Sequence, residues 1–166
     1  MIYPGLTILD MVGPLQVLTA LERFAPQYRT VVVGATREPV PTDIGVPMIP
    51  DSTFDEVPNP AIVLVPGGAL PTIRAMSDPV IRDYVRRSAA SADLVTSVCT
   101  GSLILGAVGL LEGRDATTNW VALGHLGKPG REVPRPTLGR GRQPDHVGWC
   151  VGRHRHGAVP GGPAHR

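Results

Sequence analysis

Short β-branched runs alternate along the chain with stretches whose apolar positions recur at helical spacing. Residues 29–35 (Arg-Thr-Val-Val-Val-Gly-Ala), 61–65 (Ala-Ile-Val-Leu-Val) and 94–98 (Leu-Val-Thr-Ser-Val) are bounded by Gly, Pro or polar residues. Such continuous runs suit strands buried on both faces of a parallel sheet. Between and after them the period changes. Gly13-Pro14 opens a helix with Leu15, Leu18 and Leu21 on one face. Ser77-Asp78-Pro79 opens a second, a capping side chain followed by proline, with Val80, Ile81, Tyr84 and Val85 as its apolar stripe. A third begins near Gly101 and runs through Leu103, Ile104, Ala107 and Leu111 to Gly113 as its C-cap. Strands alternating with helices predict an open α/β sheet with helices on both faces.

The pattern fails in residues 127–166, where Gly, Pro, Arg and His supply 26 of the 40 positions and no period survives. The expectation is one folded domain over residues 1–126 and a disordered extension over 127–166. Charge divides at the same place. Residues 1–126 carry 8 Lys/Arg against 12 Asp/Glu, and residues 127–166 carry 8 against 2. A basic tail suggests nucleic-acid binding only if the tail is real structure.

A chain of 166 residues holds one domain of ordinary size, and hence one site to look for. Its two cysteines make no disulfide framework, the N-terminus lacks the signature of a signal peptide, and no apolar stretch approaches the roughly 20 residues that span a bilayer. A cytoplasmic protein without a membrane partner is expected.

Within Thr96-Ser97-Val98-Cys99-Thr100-Gly101-Ser102, Cys99 stands where a buried strand meets a glycine-relieved helix start. That is the layout of a nucleophile elbow, and the adjoining helix N-terminus is expected to lower the thiol pKa. A buried structural cysteine is the alternative. Gly67 and Gly68 follow the second buried strand at the same sheet edge, where free amides would stabilise charge on a substrate held by Cys99; a plain tight turn explains them equally well. Asp10, among apolar residues just before a helix, is accounted for by capping, or in a pocket beside a thiol would move protons. Cys150, His154 and His156 match no closed zinc pattern, so no metal site is assigned.

Leu9-Asp10-Met11-Val12-Gly13-Pro14, Val65-Pro66-Gly67-Gly68, the Cys99 segment and Gly109-Leu-Leu-Glu-Gly-Arg-Asp-Ala-Thr-Thr-Asn119-Trp120 together resemble the ThiJ/PfpI superfamily over residues 1 to about 126. Within it they are most similar to the isonitrile hydratase branch. The resemblance implies a flavodoxin-like three-layer αβα sandwich with a mostly parallel sheet, no cofactor, a small-molecule substrate and a homodimer. It implies Cys99 as nucleophile, with Asp10 and Thr100 also required, Thr100 through its backbone N–H or its hydroxyl. The reaction so implied is hydration of an isonitrile to an N-substituted formamide. The ligand-sensing domain of AraC-type transcription regulators, and a thiol-based stress or glyoxal-detoxifying protein, are the alternatives. Asn119 stands where the superfamily commonly has His, so a Cys–His pair is not expected.

The same resemblance sets two expectations about the ends of the chain. The first strand of relatives begins several residues ahead of the position of Tyr3-Pro4-Gly5, so here it is expected to be short. Re-read one nucleotide downstream with free wobble positions, codons for residues 141–158 permit D-G-N-R-I-T-S-G-G-V-S-A-G-I-D-M-A-L. That string is the superfamily's strand, Gly-Gly turn and last helix, which predicts a frameshift between about residues 127 and 138. On this reading the basic tail is out of frame and no nucleic-acid partner is expected.

Overall fold

The computed structural model describes residues 1–112, 116–125 and 149–153. Its elements in chain order are α1 (Ile8–Leu21), β1 (Val33–Gly34), β2 (Ser52–Thr53), β3 (Ile62–Val65), α2 (Leu70–Ala75), α3 (Pro79–Ser91), β4 (Leu94–Val98), α4 (Gly101–Ala107), a 3-10 turn (Trp120–His125) and β5 (Trp149–Arg153). β1 pairs in parallel with β2, and β3 with β4 in the register Ile62↔Leu94 to Val65↔Ser97. The extended residues Met1 to Tyr3 lie buried between the two groups. The Met1 nitrogen donates to the Leu64 carbonyl at 2.9 Å and the Ile2 N–H to the Val33 carbonyl at 2.7 Å.

The run 29–35 forms a strand only at its end. Its earlier amides are met by carboxylates instead of a ladder, Thr30 N–H by Glu22 and Val32 N–H by Asp51. α1 starts five residues before Gly13, because Asp43 Oδ1 accepts the otherwise orphan Ile8 N–H at 3.0 Å. Pro14 therefore lies inside the helix, and Asp10 sits in its first turn and not ahead of it. Met11, Leu15, Leu18 and Leu21 border an apolar cavity of about 170 Å³ between α1 and the strands.

α3 starts as the sequence predicts, with Asp78 Oδ1 accepting from the Val80 and Ile81 N–H groups at 2.8 and 3.3 Å. Ile81, Tyr84, Val85, Ser88 and Ala89 form its buried face, whereas Val80 points outward. Tyr84 stacks on Phe54 at 4.2 Å between ring centres. α4 is shorter than predicted. Gly109 takes φ +83° and its N–H bonds to Gly106 O, while Leu110 N–H reaches Leu105 O, so a Schellman motif ends the helix before Leu111. Gly113, expected as the cap, lies outside the described residues.

The expected disorder of 127–166 fails at β5, which pairs antiparallel with β4 from Trp149↔Val98 to Arg153↔Leu94. Trp-Cys-Val is a strand-favouring run, and β4 offers it an open edge. The frameshift interval 127–138 lies outside the described residues, as do His154 and His156. Among the described residues no helix is long and apolar enough to cross a membrane, and no cluster of His, Cys, Asp or Glu is placed to hold a metal.

Candidate active site

Because β3 and β4 run parallel and in register, the turns that leave them emerge side by side at one sheet edge, where open α/β sheets place their ligands. Pro66-Gly67-Gly68-Ala69 leaves β3, and Cys99-Thr100 leaves β4. The turn from Tyr3 into α1 reaches the same place, where Thr7 N–H donates to Gly67 O at 2.8 Å. Asp10, Gly67, Gly68, Cys99 and Thr100, distant in sequence, thus meet in one cluster.

Cys99 has φ +53°, in the left-handed region that a non-glycine residue enters at a cost of roughly 1–3 kcal/mol and only where its surroundings hold it. The carbonyl is held by two hydroxyls, Thr118 Oγ1 at 3.2 Å and Ser102 Oγ at 3.3 Å. Gly101 is required behind the elbow, since a Cβ there would press into the Val65 and Pro66 carbonyls. The half-buried thiol of Cys99 hydrogen-bonds to the Asp10 carboxylate.

Burial pushes the Cys99 thiol upward, and the Asp10 charge pushes it further. This corrects the expected lowering: the Thr100 backbone N–H does favour the thiolate, but it is outweighed by desolvation and a neighbouring anion. Burial likewise raises the Asp10 carboxyl, against the Gly67 N–H and the Cys99 thiol, which favour its charged form. Each of the two groups therefore holds its proton more tightly than it would in water.

Asn119 also reaches the thiol, and its side chain favours the thiolate. Its Oδ1 accepts the Val121 N–H at 3.1 Å, which leaves the amide nitrogen to donate to sulfur. Sequence reading flagged Asn119 only as a missing base; the structure makes it a donor to the thiol.

The glycine pair supplies no free amides. Gly67 N–H donates to Asp10 Oδ2 at 3.2 Å and Gly68 N–H to Thr100 Oγ1 at 3.1 Å. The reading of both as anion-binding donors is replaced by an orienting role, one amide on the acid and one on the residue after the thiol. Space also requires them: a Cβ on Gly67 would meet Asp10 Oδ2 at 2.7 Å and Thr100 N and Oγ1 at 2.8 Å, and one on Gly68 would meet Gly5 O at 2.9 Å. Two buried residues that sequence reading missed complete the surroundings. Thr72 Oγ1 lies 2.9 Å from Thr100 Oγ1 and 3.0 Å from the Tyr3 hydroxyl. Neither carries a local motif, and only the convergence of three turns brings them to the site.

A strained, accessible sulfur with a carboxyl in hydrogen-bond contact can add to an electrophilic carbon and relay its proton. Four similarities to known proteins bear on this arrangement. The sequence profile of the DJ-1/PfpI family matches residues 1–136. An isonitrile hydratase of Pseudomonas putida is 41% identical over 120 residues, 72% of this chain and 50% of that protein. The HTH-type transcriptional regulator CdhR of Pseudomonas aeruginosa is 28% identical over 124 residues, 74% of this chain and 36% of the regulator. The crystal structure of a ThiJ/PfpI family protein from Pseudomonas syringae superimposes with a TM-score of 0.70 at 36% identity, covering 79% of this chain and 54% of that one. The chain thus spans about half the length of the hydratase and of the crystallised protein.

Proposed function

Since the chain belongs to the DJ-1/PfpI family, with its flavodoxin-like α/β fold, we propose that it hydrates an isonitrile to an N-substituted formamide through Cys99 and Asp10. The observation that carries this reading is that the Cys99 thiol hydrogen-bonds to the side chains of both Asp10 and Asn119. Amide or ester hydrolysis must expel a leaving group and is served by a Cys–His pair. Addition of water to R–N≡C expels nothing from the substrate; it needs protons moved to carbon and nitrogen, a task suited to a carboxyl with raised pKa.

In the proposed sequence Asp10 takes the thiol proton, sulfur bonds to the terminal carbon, and the proton is delivered to that carbon to give a thioimidate, R–N=CH–S–Cys99. Asp10 then takes a proton from water as its oxygen bonds to the same carbon, and passes that proton to nitrogen. The C–S bond of R–NH–CH(OH)–S–Cys99 breaks, the hydroxyl proton returns through Asp10 to sulfur, and R–NH–CHO leaves. Thr100 and Asn119 support negative charge on sulfur between these steps.

Incubation with an alkyl isonitrile, with formamide followed by NMR, tests the reading. Turnover lost in Cys99→Ala and Asp10→Asn supports it; undiminished turnover by Cys99→Ala overturns it. The match to a transcription regulator supports a second reading, a ligand-sensing domain. Saturable isonitrile binding by calorimetry with no formamide formed would favour that one.

A further inference from the structure

Thr100 precedes α4 as its N-cap, yet its side chain makes no capping bond. A threonine there ordinarily turns its oxygen onto the N–H groups of the first turn. Here the oxygen is drawn the other way, into a line of buried hydroxyls. The Tyr3 O–H donates to Pro66 O at 2.9 Å, which uses its single proton. The 3.0 Å contact between Tyr3 and Thr72 must then carry the Thr72 proton, and the 2.9 Å contact between Thr72 and Thr100 the Thr100 proton. Gly68 N–H fills an acceptor position on Thr100 Oγ1. Each donor in the line has one acceptor, and Tyr3, Thr72 and Thr100 are 2%, 0% and 6% exposed, so water does not compete.

We propose that Tyr3 and Thr72 are positioning residues of the active-site turn. Through this line they commit the Thr100 hydroxyl proton inward and leave the Thr100 backbone N–H as the group that serves Cys99. The line joins the N-terminal segment, α2 and the elbow, so it also fixes Thr100 against the Gly67-Gly68 turn. Of the two ways in which Thr100 could act, the hydroxyl is already spent. Burial raises the Tyr3 pKa, and the phenol stays protonated, which keeps the direction of the line constant over the working range of the thiol. The inference rests on the proposed chemistry of Cys99 and is independent of the substrate.

The test is the pH profile of Cys99 alkylation by iodoacetamide, measured on the whole chain. Thr72→Val should move the profile to higher pH and slow alkylation near neutrality by about threefold to tenfold, the effect of loosening one hydrogen bond at the elbow. Thr72→Ser should restore it, and Tyr3→Phe should shift it in the same direction by less. An unmoved profile, or one moved to lower pH, in folded Thr72→Val overturns the proposal. If that variant does not fold, Tyr3→Phe decides by the same criterion. A shifted profile in a protein that makes no formamide would sink the isonitrile reading and leave this inference standing.

Discussion

Replacing Gly67 with alanine tests how closely the site is packed around its acid. The Gly67 amide is not in a left-handed conformation, so the added methyl acts through space alone. It would lie 2.7 Å from Asp10 Oδ2 and 2.8 Å from Thr100 N and Oγ1, where ordinary contacts begin at 3.4 Å. Asp10 Oδ2 must retreat by about 0.7 Å and the two Thr100 atoms by about 0.6 Å. The carboxylate can swing aside, but Thr100 N belongs to the strained elbow and Thr100 Oγ1 to a buried line of hydroxyls. Overpacking of this kind costs about 1–3 kcal/mol of stability, a loss of several degrees in melting temperature for a chain of this size. The effect on turnover should be larger, because displacing a reacting group by about 1 Å costs on the order of 100-fold. Gly67→Ala should therefore melt a few degrees lower and lose most formamide production at saturating isonitrile. Near-normal kcat in a folded Gly67→Ala protein would refute the assignment of Asp10 as the proton carrier held by this turn.

The remaining expectations concern Asp10, Cys99 and Asn119. The folded state raises the Asp10 pKa, so just above the ordinary carboxylate range the native protein binds more protons than the unfolded chain, and stability falls as pH rises through that window. Asp10→Asn should flatten this part of the melting-temperature profile and melt above wild type at neutral pH, while making no formamide. Cys99→Gly should be more stable than Cys99→Ala by about 1 kcal/mol in urea denaturation, because only glycine adopts φ +53° without cost; equal stabilities would show that the elbow is unstrained. Asn119→Ala should shift Cys99 alkylation to higher pH by removing a donor to sulfur, and an unchanged profile would remove Asn119 from the site.

Much of the site was legible because its chemistry lies in short segments at element boundaries. Strand-to-helix punctuation at Val98-Cys99-Thr100-Gly101 locates the elbow, and Asp78-Pro79 locates the start of α3. Effects that depend on distant partners were not legible. Asp10 could not be placed in the first helical turn without Asp43, 35 residues away from the amide it caps. The direction of the thiol shift could not be read from the helix start, because it depends on burial and on a carboxylate brought from α1. Free amides at Gly67-Gly68 were a fair reading of the pair in isolation; their acceptors come from α1 and the elbow. Tyr3 and Thr72 carry no motif, and a hydroxyl in an apolar run or a six-residue helix gives no local sign of its partner.

The antiparallel ladder from Trp149↔Val98 to Arg153↔Leu94 occupies the outer side of the strand that leads into Cys99. Left bare, that side would offer a row of unpaired N–H and C=O groups, a template on which a second polypeptide can add its own strand. Residues 149–153 thus cover that row of groups. A chain cut short before Trp149 would keep every residue of the thiol site and still tend to self-associate through β4, a gain in oligomer size that light scattering would register before any loss of the fold.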